Sequence, residues 1–216
     1  MDQALELLPA DYWRWRLTAY GPEHADSAFT WEDFQASTNK DLADVLGNFV
    51  NRIVKFTESR FDGFVPDGGE PGPVEAQLQT DIAAGIAEAT VQMEAMEFRK
   101  AAQAIRAVWV LGNEYLQVAA PWTAFKTDPV RAAVGVRTGL NLVALFARLA
   151  APIMPSSAGR IAATVGETDL SWPLATDALL DRLPRGQTVA AAEVLFRKIE
   201  DAQVADWAER FGGGEV

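Results

Sequence analysis

Between Trp31 and Ser59 the apolar residues Phe34, Leu42, Val45, Leu46, Phe49, Val50, Ile53 and Phe56 recur three or four positions apart, which places them on one stripe of a helix. A stripe of that length is buried only by other elements with matching faces. The chain supplies them. Val74 to Met96 and Glu97 to Ala119 read as two further helices, the second with Phe98, Ala101, Ile105, Val108, Leu111 and Tyr115 along one side. Residues 62–73 (DGFVPDGGEPGP) are dense in Gly and Pro and form a loop before this pair. Pro121 ends or kinks the second helix, because it lacks the N–H that a helix interior needs. A fourth helix runs from Asp128-Pro129 to Ile153, with the proline in the first turn, where its missing donor costs nothing. The sequence therefore predicts an all-α fold, an antiparallel bundle of four main helices with a short C-terminal appendage.

Shorter elements surround the four. Asp11 to Tyr20 reads as a docking helix, with Tyr12, Trp13 and Trp15 among Arg14 and Arg16. Thr30 caps the long helix, and Asp33 follows three residues later in the manner of a capping box. Pro155 to Val165 is a short helix, Leu170 to Pro173 and Val194 to Ile199 are extended or loop-like, and residues 201–211 close as a helix ending at Gly212-Gly213. Gly47 lies inside the long helix at a cost of roughly 1 kcal/mol relative to alanine. Its position implies close approach to the helix backbone, by another helix or by a ligand. Gly135 and Gly139, one turn apart, mark close packing between helices.

Composition removes several classes of function. With 216 residues and no Cys, neither a disulfide scaffold nor a thiolate metal site is available. Thirty acidic residues against nineteen basic ones give a net charge of −11, which argues against indiscriminate binding to nucleic acid by phosphate neutralisation. The N-terminus (MDQALE) carries acid where a secretory signal carries base. The most apolar stretch, Thr138 to Pro155, is interrupted by Asn141, Arg148, Pro152 and Pro155 and reads as a buried helix rather than a membrane span. These features point to the cytoplasm. The single histidine, His24, falls in a surface loop with no second histidine to make a metal pair. There is no Walker-type glycine loop and no Gly-x-Ser-x-Gly elbow, and the acidic pairs Glu32-Asp33 and Glu200-Asp201 stand at helix starts, where carboxylates cap. No catalytic residue and no metal ligand is assigned.

Two polar features carry more information. Asp44, Asn48 and Arg52 are spaced by four, so an α-helix lines all three on one face. Asn offers a donor and an acceptor together and Arg a planar fork, the equipment for reading the edge of an unpaired base. The same pattern also suits a solvated helix face. Ala120-Pro121-Trp122 is the second: a tryptophan held beside a proline where a helix ends is either a core residue at a kink or a stacking platform for a splayed base.

Leu8-Pro9-Ala10-Asp11-Tyr12-Trp13-Arg14, the segments Asp26 to Phe34 (DSAFTWEDF) and Leu42 to Arg52 (LADVLGNFVNR), Ala120-Pro121-Trp122 with Lys126, and Leu195 to Asp201 (LFRKIED) together resemble the C-terminal anticodon-binding domain of methionyl-tRNA synthetases. The resemblance covers residues 8–211. It implies an antiparallel helix bundle of the class I aminoacyl-tRNA synthetase anticodon-binding type that recognises the CAU anticodon of methionine and initiator tRNAs. On that resemblance Asn48 and Arg52 contact anticodon bases, Trp122 stacks on the first of them, and Pro121 shapes the backbone. Asp44, where some relatives carry Asn, together with Asn113 and Lys126, would give supporting tRNA contacts, the lysine to a phosphate. The His-Ile-Gly-His-like and Lys-Met-Ser-Lys-Ser-like motifs of the class I catalytic domain are absent. The resemblance thus places ATP with magnesium, and zinc, in a catalytic domain preceding this chain, which itself would hold no cofactor. Residues 1–30 would be the linker and stem-contact segment after that domain, 31–165 the anticodon-binding bundle, and 166–216 an appendage packed on it. Partners would be tRNA and the protein's own catalytic domain, with no membrane. A helical protein-interaction module and a free-standing tRNA-binding helper are the competing readings.

Overall fold

The protein was analysed as a computed structural model, which describes residues 2–23, 28–191 and 193–211; His24 and Gly212-Gly213 lie outside these. The described residues form helices α1 (Asp2–Leu7), α2 (Ala10–Tyr20), α3 (Trp31–Thr38), α4 (Asn48–Arg60), α5 (Pro73–Glu94), α6 (Phe98–Ala119), α7 (Pro121–Thr127), α8 (Pro129–Ala150), α9 (Pro155–Thr164) and α10 (Asp201–Phe211). A π-helical segment, Asn39–Gly47, joins α3 to α4. Among the described residues the nearest thing to a sheet is one isolated antiparallel bridge, Phe64 with Thr188. The bundle expected from the apolar stripes is present, with α5 and α6 packed as a hairpin across a three-residue turn. The six-residue α1 is too short to leave a periodic signal; the Trp13 indole of α2 donates to its Ala4 carbonyl at 2.9 Å.

Helix α8 is the axis of the molecule. It is long and apolar enough, by length and composition, to cross a bilayer, yet 89% of its most apolar window is buried inside the fold. Each Leu or Phe so buried contributes about 1.5–3 kcal/mol, which makes this helix the largest single store of hydrophobic stability in the chain. Its interior polar residues have structural partners. Arg137 donates to the Gly68 and Gly69 carbonyls at 2.6 and 2.8 Å and so holds the Gly- and Pro-rich loop against the helix. Asn141 accepts from the Arg182 and Leu183 N–H groups at 2.7 and 2.8 Å, and Arg148 donates to the Ser171 carbonyl at 2.9 Å. Asn141 and Arg148 thereby fasten the coil between α9 and α10, which has little regular structure to hold itself.

The segment between Trp31 and Arg60 departs from the uniform α-helix that its periodicity predicts. The Thr30 hydroxyl caps it, accepting from the Asp33 N–H at 3.1 Å. Over Asn39–Gly47, however, the helix widens, and the Asn48 N–H donates to the carbonyl of Ala43, five residues back. Two tertiary demands account for this. Asp41 is buried, and its carboxylate accepts from the Trp15 indole at 3.2 Å, from the Tyr20 hydroxyl at 2.7 Å and from the Arg106 guanidinium. Asn113 of α6 donates to the Val45 carbonyl at 3.1 Å, supplying a partner from outside the helix. Burial, and then the bond to Asp41, push the Tyr20 hydroxyl up to about 12, so it remains a donor throughout the physiological range.

Besides the Leu42 carbonyl of its own segment, 3.0 Å from where a Cβ would stand, Gly47 is approached by an extended stretch of the chain. A side chain there would meet the ring of Phe196 at 3.3 Å, from the extended segment 194–199. That segment is strapped across the helices. Asn39 both donates to the Ile199 carbonyl at 2.9 Å and accepts from its N–H at 2.8 Å, while the Tyr12 hydroxyl accepts from the Arg197 N–H at 2.8 Å. Helix α10 closes on the N-terminal side, where Trp207 packs on Trp31 at 5.3 Å between ring centres. Tyr12, Trp15, Phe196 and Trp207 belong to the same continuous core as α8.

A second buried carboxylate ties the loop to the bundle. Glu75, at the start of α5, accepts from the Gly72 N–H at 2.8 Å, from the Tyr115 hydroxyl at 2.6 Å and from both terminal nitrogens of Arg131. Burial alone would raise its pKa, but the bonds from Arg131, Tyr115 and Gly72 outweigh that and hold it below the usual carboxylate range. The stability Glu75 contributes is therefore complete above the unfolded value of 4.5 and is lost as pH falls through its lower folded value. Glu75→Gln should cost about 1–3 kcal/mol at pH 7, measured by urea unfolding. The difference from the parent should shrink toward pH 3; a difference independent of pH would refute this account.

Candidate nucleic-acid interface

Helix α6 ends with Ala120 in the left-handed region, at φ 37°. An alanine held there stores of order 1–3 kcal/mol of strain, and the neighbours enforce it. The Ala120 N–H still donates to the Leu116 carbonyl at 3.1 Å, while its own carbonyl accepts from Thr123 and Ala124 at 2.9 and 3.0 Å, starting α7 at once. Pro121 occupies the first turn of α7 and is buried. Its ring lies against α8 beside Gly135, where an added Cβ would stand 3.4 Å from it, in ordinary van der Waals contact. The reversal turns Trp122 back toward α4, half-buried against the core.

Helix α4 comes close to the same axis because Gly139 has no side chain; a Cβ there would overlap the Ile53 side chain at 2.8 Å. With α4 and α7 both seated on α8, the Arg52 guanidinium carbon lies 4.5 Å from the centre of the Trp122 ring. A cation and an indole so placed attract by about 0.5–2 kcal/mol. This holds both groups ready without locking them, since a stacked base gains about 1–3 kcal/mol. Phe56 meets Trp122 edge-on at 6.1 Å and Phe125 at 6.0 Å, and Phe61 meets Phe125 at 5.4 Å. The pattern that put Phe56 in the core stripe concealed this second role, a wall between two half-buried rings. Its spacing of four from Arg52 was the available signal.

Of the residues singled out from sequence, the structure brings Arg52, Pro121 and Trp122 together directly. Asn48 is exposed one turn before Arg52 and, with Asp44 and Asn51, lines a groove of about 300 Å³ whose far wall is Val194 to Phe196 and Lys198. Asp44 faces across that groove to the Lys198 ammonium at 2.7 Å, a pair half-exposed on both sides. Asn113 spends its amide inside the fold, donating to the Val45 carbonyl and to the Trp109 carbonyl at 3.0 Å. Lys126 is exposed in the last turn of α7. Among the described residues no group of three or more His, Asp or Glu is arranged to hold a metal ion.

A family model described as the anticodon binding domain of methionyl tRNA ligase matches residues 65–216. The chain belongs to the methionyl-tRNA ligase family. A second model, of the class I tRNA synthetases for methionine, matches residues 1–54, so α4 with Asn48 and Arg52 comes from one matched region and Trp122 from the other. Methionine–tRNA ligases of Caulobacter sp. (strain K31) and Ruegeria sp. (strain TM1040) are 60% and 56% identical to the chain. These alignments take in 100% and 99% of it but only 38% and 37% of the relatives' own lengths. The crystal structure of the apo form of Mycobacterium tuberculosis methionyl-tRNA synthetase superposes with a TM-score of 0.82 at 25% identity, over 92% of this chain and 40% of that one. The chain thus spans well under half the length of the family members it matches.

Within this family fold the widened helix is what carries α3 into α4 on the Asn48 side. Asn113→Ala removes the outside donor to Val45 and should lower stability by about 1–2 kcal/mol, read by thermal unfolding, with helical circular dichroism unchanged.

Proposed function

We propose that this chain reads the CAU anticodon of methionine and initiator tRNAs, as the C-terminal part of a longer methionine–tRNA ligase. The observation that carries the reading is the Arg52 guanidinium 4.5 Å over an indole held at a strained helix junction. The Trp122 face takes the first anticodon base by stacking, which every base permits and which therefore supplies affinity. Arg52 and Asn48 supply discrimination, the one with a planar donor fork and the other with a donor and an acceptor on the same helix. Pro121 fixes where the ring stands. Asp44 and Lys126 flank the path of the strand, Lys126 as a phosphate contact, whereas Asn113 acts at one remove by holding the turn that precedes Asn48.

An acidic chain is compatible with this role because stacking and base-edge bonds, rather than phosphate neutralisation, provide most of the energy. ATP, magnesium and zinc are assigned to the catalytic part of the longer ligase, and no step of adenylate formation is assigned to this chain. The remaining assignments are residues 1–30 as the stem-contact linker, 31–165 as the reading bundle, 166–216 as the packed appendage, and the cytoplasm as the site of action.

Titration with a CAU anticodon stem-loop and with one changed at the first anticodon base tests the proposal. The parent should prefer the CAU loop. Trp122→Ala should weaken binding by roughly tenfold or more, and Arg52→Lys, which keeps the charge but loses the fork, should reduce the preference between the two loops. Equal affinity of the parent for both RNAs would overturn the reading.

A further inference from the structure

The pairing of guanidinium and ring occurs twice along the same two helices. On α4, Arg52, Phe56 and Arg60 are spaced by four and share a face; on α7, Trp122 and Phe125 are three apart. Arg52 stands over Trp122, and the Arg60 guanidinium carbon stands 5.7 Å from the centre of the Phe125 ring. Phe56 lies between the two pairs and meets both rings edge-on. Eight residues of helix separate Arg52 from Arg60, a rise of about 12 Å, which is more than one base can bridge. The second pair therefore suits a different nucleotide from the first.

Charge sharpens the point. In a chain of net charge −11, Arg106, Arg131, Arg148 and Arg182 are each paired with a carboxylate. Among the described residues Arg60 forms no ion pair, and it is exposed. Lys126, also exposed, follows Phe125 directly. Arg60 carries the same donor fork as Arg52, but the residue one turn before it is Phe56, whereas Asn48 stands one turn before Arg52, so the second pair lacks the companion amide that sorts base edges at the first.

We infer that Arg60 and Phe125 form a second nucleotide site, which holds the RNA strand beside the base on Trp122 through a phosphate and a ring face without reading base identity. This rests on the anticodon reading, which supplies the strand. Phosphate contacts set register and orientation and leave sequence choice to other groups.

The experiment uses the whole chain, the CAU stem-loop and its variant at the first anticodon base, titrated across a series of salt concentrations. Arg60→Ala should weaken binding of both RNAs by roughly tenfold, leave their ratio unchanged, and reduce the slope of log affinity against log salt by about 0.7–0.9. Arg60→Lys should keep the slope. Phe125→Leu, with its thermal midpoint measured in parallel, should weaken both RNAs alike. Arg60→Ala with parent affinity and parent slope, while Trp122→Ala still loses binding, overturns this inference and leaves the anticodon reading standing. A changed ratio in Arg60→Ala overturns the claim that the site ignores base identity. Parent affinity in Phe125→Leu overturns the part assigned to the ring. Absence of any preference in the parent removes the anticodon reading itself.

Discussion

Close packing on two turns of the central helix sets the geometry on which the candidate site depends. The Pro121 ring packs beside Gly135, and Ile53 fills the space that a side chain on Gly139 would take, so α7 and α4 both rest directly on α8. The distance between Arg52 and Trp122 follows from those two contacts rather than from their own mutual attraction, which is worth only about 0.5–2 kcal/mol. Packing of close-fitting apolar surfaces carries far more energy and tolerates little displacement. The half-buried rings and their guanidinium partners are thus positioned by a packed scaffold, an arrangement that would preorganise the proposed binding site at low entropic cost.

The same helix explains how a chain with so much irregular structure after α9 keeps one core. Backbone groups in a coil need partners, and Asn141 and Arg148 supply them from within an otherwise apolar helix, as Arg137 does for the loop before α5. Across the molecule, buried carboxylates do corresponding work for helices. Asp41 gathers donors from α2 and α6 into the π segment, and Glu75 gathers them from the loop, α6 and α8. Removing a partner from such a cluster leaves a buried charge unmet, so these clusters specify the arrangement of helices more strongly than they add to its stability.

Much of the fold was legible because amphipathic helices advertise themselves. The stripes on the long helices, the Thr30 cap and Pro129 locate the main elements to within about three residues, whereas Pro73, counted with the loop, opens α5, and the short α7 after Pro121 leaves no periodic signal. The π turn was invisible, since its cause is a bond from Asn113, sixty-eight residues away from Val45, and a carboxylate shared among three distant donors. The same distance effect hid the identity of the group beside Gly47. A glycine inside a helix shows that something approaches; only the folded chain shows that it is Phe196.

By itself the sequence determined the helix content, the presence of a buried central helix and the residue types capable of reading a base, because these depend on local spacing and side-chain chemistry. Tertiary structure decided which of those residues act together. It joined Arg52 to Trp122, turned Asn113 inward, set Asp44 against Lys198, and raised Phe125 and Arg60 from unremarked positions to a second pair. The physical reason is that a site is made from faces of different helices. Their relative placement is fixed by packing between residues far apart in the chain, which no local pattern encodes.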